Sequence, residues 1–180
     1  MTETTTTRTP ALTGERADLL EQLGKARFFL RFTAKELTDA QAATRSTVSE
    51  LCVGGLIKHV TGVEQAWAGF ILEGPSAMPD FTAMTEEDFA RRRDGFELLS
   101  GETLAGVLAD YAETARRTDE LVATLPDLDA AHPLPKAPWF DGDAQWSARR
   151  VLLHIIAETA QHAGHADIIR EALDGAKSMG

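Results

Sequence analysis

The sequence predicts an all-α protein, a four-helix bundle with one long crossover connection and a short extra helix. Three observations carry that expectation. Four long stretches place apolar residues at i, i+3, i+4 spacing, and no stretch alternates convincingly at period two. The connection between the second and third of them is long enough to let both run in the same direction. With 43% apolar residues in a chain of 180, residues 13–180 can bury a core as a single domain.

Residues 1–12 are Thr-rich, carry no apolar period and are expected to form a disordered tail. Over about residues 15–37, Leu19, Leu20, Leu23, Ala26, Phe29, Leu30 and Ala34 recur at helical spacing and predict the first helix. Ser49 is the expected N-cap of a second helix running to about Leu72, where Glu73, Gly74 and Pro75 supply a stop. Residues 74–100 are Pro/Met-rich and then charged, a crossover with a short helix over about 86–93. A third helix over about 103–124 follows from Leu104, Val107, Leu108, Tyr111, Ala115, Thr118, Leu121 and Val122, and ends before Pro126. Pro126, Pro133, Pro135 and Pro138 forbid a helix over 125–143. The last helix covers about 147–173, capped by Asp174 and Gly175.

A formal net charge of -10 opposes binding to phosphate backbones, so the clusters Arg91 to Arg93, Arg116-Arg117 and Arg149-Arg150 read as solvated helix faces or ends rather than a nucleic-acid surface. The N-terminus lacks an apolar signal core, and no run of about 18 apolar residues occurs, so neither export nor membrane insertion is expected. The single cysteine, Cys52, excludes an internal disulfide framework and fits a reducing compartment, the cytoplasm by default. A small molecule or a metal is the expected partner.

The chemistry concentrates on two helices. At about 100° per residue, with Glu158 at zero, His154 falls at about -40°, His162 at about +40° and His165 at about -20°. Val151 and Ile155 precede this stripe and Ile169 and Leu173 follow it, so it occupies the middle of an inward apolar face. On the second helix, Cys52, Gly55, Leu56, Val63, Ala66 and Phe70 lie within about 60° of His59, another imidazole on an inward face. Ionisable groups in a core need pairing, hydrogen bonds or a metal. Glu158 and His162, at i and i+4, together with His59 make a facial set suited to Zn²⁺ first, or to Ni²⁺, Fe²⁺ or Mn²⁺, with positions left open. A lone inward histidine is more often a hydrogen-bonded core residue, and a Glu/His pair at i, i+4 is more often solvated; the central placement of both sets is what favours the metal. Cys52 reads as a small core residue. Trp67, Trp139, Phe140 and Trp146 read as packing, with Trp139 and Phe140 alternatively roofing a pocket.

The segments GGLIKHVTGVEQAWAGFIL (54–72) and VLLHIIAETAQHAGHADIIREALDG (151–175) resemble the DinB-like, or YfiT-like, superfamily, in particular its largely uncharacterised actinobacterial branch. The likeness runs from about residue 14 to the end. It implies a four-helix bundle whose metal is held by one histidine of the second helix and an H-x3-H pair of the last, followed by Gly-Gln. His59 matches the first ligand, His162 the last, and Gly164 the glycine. Glu158 stands where many members have histidine, but the related mycothiol-dependent maleylpyruvate isomerases use the same E-x3-H spacing. His165 replaces the glutamine and is the rival third ligand, or a group behind the ligands.

The resemblance also implies an enzyme that transfers a low-molecular-weight thiol, of mycothiol type, to a small electrophile. A thiol-dependent isomerase and a non-catalytic metal-binding stress protein are the alternatives. His154, His165 and Glu64 are candidates to orient ligands or move a proton, although Glu64 lies about 140° from His59 and would otherwise face solvent or a partner subunit. Leu152, Leu153 and Ile156 point outward on the same arithmetic and call for cover by the loops or by a second subunit, as in a homodimer.

Overall fold

Six helices account for most of the computed structural model, which describes residues 12–178: α1 (Glu15–Thr33), the single turn α2 (Asp39–Ala42), α3 (Val53–Glu73), α4 (Glu86–Asp94), α5 (Leu104–Thr124) and α6 (Ala148–Asp174). The expected tail lies outside the described residues apart from Leu12. None of the helices among the described residues is long and apolar enough to cross a membrane.

Helix ends follow local hydrogen bonding. Thr103 caps α5 and Ser147 caps α6, each hydroxyl accepting from a backbone N–H three residues on, and Gly175 ends α6 in the left-handed conformation at φ 80°. Two expected boundaries move. The cap of α3 is Cys52, whose thiol accepts from the Gly55 N–H, while the Ser49 hydroxyl is taken by the Leu51 N–H in a preceding turn. The first helix stops at Thr33 rather than near Leu37, because Arg170 of α6 donates to the Thr33 and Lys35 carbonyls, at 2.8 and 2.7 Å, and Glu36 turns the chain at φ 63°.

Helix directions follow from two apolar clusters. In one, Leu30 late in α1 joins Val53 and Leu56 at the start of α3, Leu104 and Val107 at the start of α5, and Ala166 late in α6. In the other, Leu19 and Leu23 early in α1 join Phe70 and Ile71 late in α3, Val122 late in α5, and Val151 and Leu152 early in α6. So α1 and α6 run one way and α3 and α5 the other. The crossover joins two parallel helices, as its length predicted, and carries α4 and a 3-10 turn at Gly74–Ala77. Because α6 packs on both α1 and α3, its buried face is wider than one stripe: Leu152 is 1% exposed and belongs to the core, while Leu153 stays half exposed.

The proline-rich loop holds an element the sequence did not signal. Its ends pair as a short antiparallel ladder, β1 (Ala131–Pro133) with β2 (Gln145–Ser147), placing His132 opposite Trp146. Three residues are too few to show a period of two, and Pro133 is tolerated at a strand end. Each arginine cluster has at least one member matched by acids: Arg91 pairs with Glu87 and Asp88, Arg116 with Glu113 and Glu120, and Arg149 with Glu15 and Asp129.

At mid-bundle the core is ionic. Glu64 of α3 is fully buried and receives bonds from Arg27 of α1 through both Nε and Nη2; the third donor of that guanidinium, Nη1, reaches Asp119 of α5 at 2.7 Å. Glu64 therefore faces neither solvent nor a partner. It is held inward because a carboxylate on that face of α3 must be paired once α1 covers it. Replacing Arg27 with Met is expected to cost roughly 3–5 kcal/mol in urea unfolding, since it strands the Glu64 charge, whereas Arg27→Met combined with Glu64→Leu is expected to restore most of the loss. Equal stability of the single and double variants would contradict this account.

Candidate metal centre

The antiparallel run of α3 against α6 sets His59, in the first third of its helix, beside the middle of α6. There His59, Glu158 and His162 each offer a ligand-type atom, and those atoms lie within 4.8 Å of one another. Glu158 stands between two imidazoles, with Oε2 3.5 Å from His162 Nε2 and Oε1 3.8 Å from His154 Nε2. The His162 side chain is only 12% exposed. Its ring meets that of His59 edge-on at 4.8 Å, and His59 stacks on Phe96 at 3.9 Å. His165 lies outside the trio: its Nδ1 is 3.4 Å from Nδ1 of His162, the ring nitrogen turned away from Glu158. Sharing a stripe with Glu158 does not bring His165 to it, because seven residues carry it roughly 10 Å farther along the axis.

Burial governs the electrostatics. It pushes the His59 imidazole down to about 4, helped by the neighbouring His162 and Arg92. Burial likewise lowers His162 and His154, against the pull of the Glu158 carboxylate in the other direction. Neutral imidazoles keep a lone pair free, and two of them with one carboxylate suit a divalent ion of the Zn²⁺ type. The donor set thus fits a divalent metal ion.

The trio forms the floor of a cleft of about 650 Å³. Its walls are aromatic. Trp67 of α3 stacks on Trp146 of β2 at 5.0 Å, and the His154 ring lies edge-on to both, at 4.9 and 5.1 Å. Phe140 meets Trp146 at 5.7 Å, and Trp139 meets Phe81 at 5.1 Å. Trp139 and Phe140 line the cleft, in keeping with their reading as a roof, whereas Trp67 and Trp146 are site walls rather than general packing. Neither Glu64 nor Cys52 lines it, and the Cys52 thiol caps α3.

Phe96 escaped the sequence reading altogether. It comes from the crossover and reaches His59 because Gly55 leaves room: a Cβ there would stand 1.8 Å from the Phe96 carbonyl oxygen and 2.8 Å from the Glu97 nitrogen. No periodicity marks such a contact, so only the doublet Gly54-Gly55 near the helix start hinted that another backbone comes close.

A sequence profile of the mycothiol-S-transferases matches residues 18–175. The chain belongs to the mycothiol-S-transferase family. That membership places it among the DinB-like proteins and agrees with the resemblance carried by the His59 and His162 segments. A solved structure titled as the conserved protein of locus from Enterococcus faecalis is similar in fold, with a TM-score of 0.65 over 92% of this chain and 100% of that one at 15% identity. No curated protein sequence matches this mycothiol-S-transferase family member.

The glycine contact is open to test. Gly55→Ala is expected to destabilise the fold by roughly 1–3 kcal/mol, because the backbone at 96–97 must retreat, and to loosen the Phe96 ring from His59. Gly24→Ala, at an open position of α1, is expected to gain up to about 1 kcal/mol. Thermal unfolding of both variants checks the contrast, and a Gly55→Ala protein as stable as the parent would contradict it.

Proposed function

We propose that the chain is a divalent-metal-dependent transferase that joins a low-molecular-weight thiol of the mycothiol type to a small electrophile, with Zn²⁺ as the first choice of ion. The observation that carries this reading is the meeting of His59, Glu158 and His162 at the floor of an open cleft in a member of the mycothiol-S-transferase family. These three residues would hold the ion and leave coordination positions for a ligand. A bound divalent ion would lower the pKa of a coordinating thiol from about 8.5, so that it reacts as thiolate at neutral pH.

The remaining work falls to the chain. His165, in contact with Nδ1 of His162, would fix that ring with Nε2 on the side of Glu158, where it could serve as a ligand. His154, whose Nε2 stands 3.8 Å from the second oxygen of Glu158, lines the cleft and is the group we assign to take the thiol proton. The aromatic walls exclude water and position the electrophile. In the transfer a carbon–sulfur bond forms while the leaving group departs with its electron pair. The E-x3-H spacing of Glu158 and His162 also suits a thiol-dependent isomerase, in which the thiol adds and is released again, so product analysis separates the two.

Zinc-loaded protein mixed with mycothiol and monochlorobimane is expected to form the conjugate above the background rate and to lose that rate on chelation. No rate above background with any of several thiols would remove the transferase. Elemental analysis is expected to find one ion per chain in the parent, none in His59→Ala or His162→Ala, and affinity weakened by roughly 10–100-fold in His165→Ala. Retention of metal by both ligand variants would remove the site.

A further inference from the structure

The lining of the cleft carries information about what enters it. Arg92 of α4 lines it and lies 5.8 Å from the Phe81 ring. Its neighbour Arg91 is paired with Glu87 and Asp88, but Arg92 meets no carboxylate among the described residues. Lys58, the other cation of the lining, is bonded to Glu102 at 2.7 Å and to the Asp94 carbonyl at 3.2 Å. The lining contains one acid, Glu158, which sits in the trio on the floor. An unmatched guanidinium thus faces an aromatic cavity in a protein whose net charge is -10 and whose general field repels anions.

One aromatic of the cleft is left largely uncovered. Trp139 is 60% exposed, although it lies against Phe81 and Phe140 over the cleft. A flat ring inserted beside it would cover surface now left to water.

Resting on the transferase reading, we propose that the preferred electrophiles are planar aromatic or conjugated molecules that carry an anionic group, the ring lying along Trp146, Phe140 and Trp139 and the anion meeting Arg92. For an aryl halide of this class, the thiolate sulfur bonds to the ring carbon, the carbon–halogen bond breaks, the halide leaves with the bonding pair and the thiol proton, taken up by His154, passes on to solvent. The aromatic walls provide stacking, and the guanidinium a charge-assisted bond to a carboxylate or sulfonate.

Binding can be measured without turnover, because all three tryptophans of the chain line the cleft and report by fluorescence quenching. Zinc-loaded protein without thiol is titrated with 3,5-dinitrobenzoate and with 1,3-dinitrobenzene. The acid is expected to bind about tenfold more tightly, and Arg92→Met to erase the difference while Arg92→Lys keeps part of it. Cyclohexanecarboxylate is expected not to displace dinitrobenzoate. An acid-to-neutral ratio unchanged in Arg92→Met would overturn the role of Arg92 and point to the metal as the anion site. Displacement by cyclohexanecarboxylate as readily as by benzoate would overturn the aromatic preference. Should no thiol be conjugated while these binding preferences hold, the transferase reading falls and the ligand class stands.

Discussion

The buried pair of Arg27 and Glu64 sets the rotation of α3, and the site depends on that rotation. An ionised carboxylate at the centre of a bundle is tolerable only with charged hydrogen-bond partners, and the Arg27 guanidinium supplies two bonds to it while its remaining donor anchors on Asp119. With Glu64 turned towards α1, a residue about 140° away on the same helix is carried to the other side, towards α6. That residue is His59. Turning α3 enough to take His59 away from Glu158 and His162 would also pull Glu64 from its partner. One guanidinium, through two ion pairs, thus couples three helices and protects an arrangement it does not touch.

The cleft exists because the segments between helices are not closed tightly over this part of the bundle. The crossover passes over the start of α3 at Gly55, where its backbone comes nearer than any side chain would allow, and delivers Phe96 against His59 and Arg92 to the rim. From the opposite side the proline-rich loop is tied to α6 by the ladder of β1 and β2, which aims Trp146 at Trp67. Two loops contribute one wall each, and the ligand-type side chains come from regular helices whose packing fixes their positions. Rigid helices hold the chemistry and loops shape the entrance.

Regular, local features were legible in the residues. Helical spacing, Gly175 and the four prolines marked the long helices to within a few residues, since each depends on neighbours in the chain. The inward stripe of α6 and the inward imidazole of α3 were legible for the same reason. Where the reading missed, a distant group intervened: Arg170 ended α1 early, and Arg27 turned Glu64 from a candidate at the site, or a solvent-facing residue, into a core ion.

By itself, the sequence determined the helices, their apolar faces and the family-like motifs that carry His59, Glu158 and His162. Helical periodicity needs only one turn of context to express itself. Tertiary structure alone decided that Glu158, and not His165, shares a small volume with His59, because that choice depends on the axial offset between two antiparallel helices. It also decided that Phe96 and Arg92 join the cleft. Their approach is governed by the packing of a long connection on Gly55, a contact between segments about forty residues apart that no local pattern encodes.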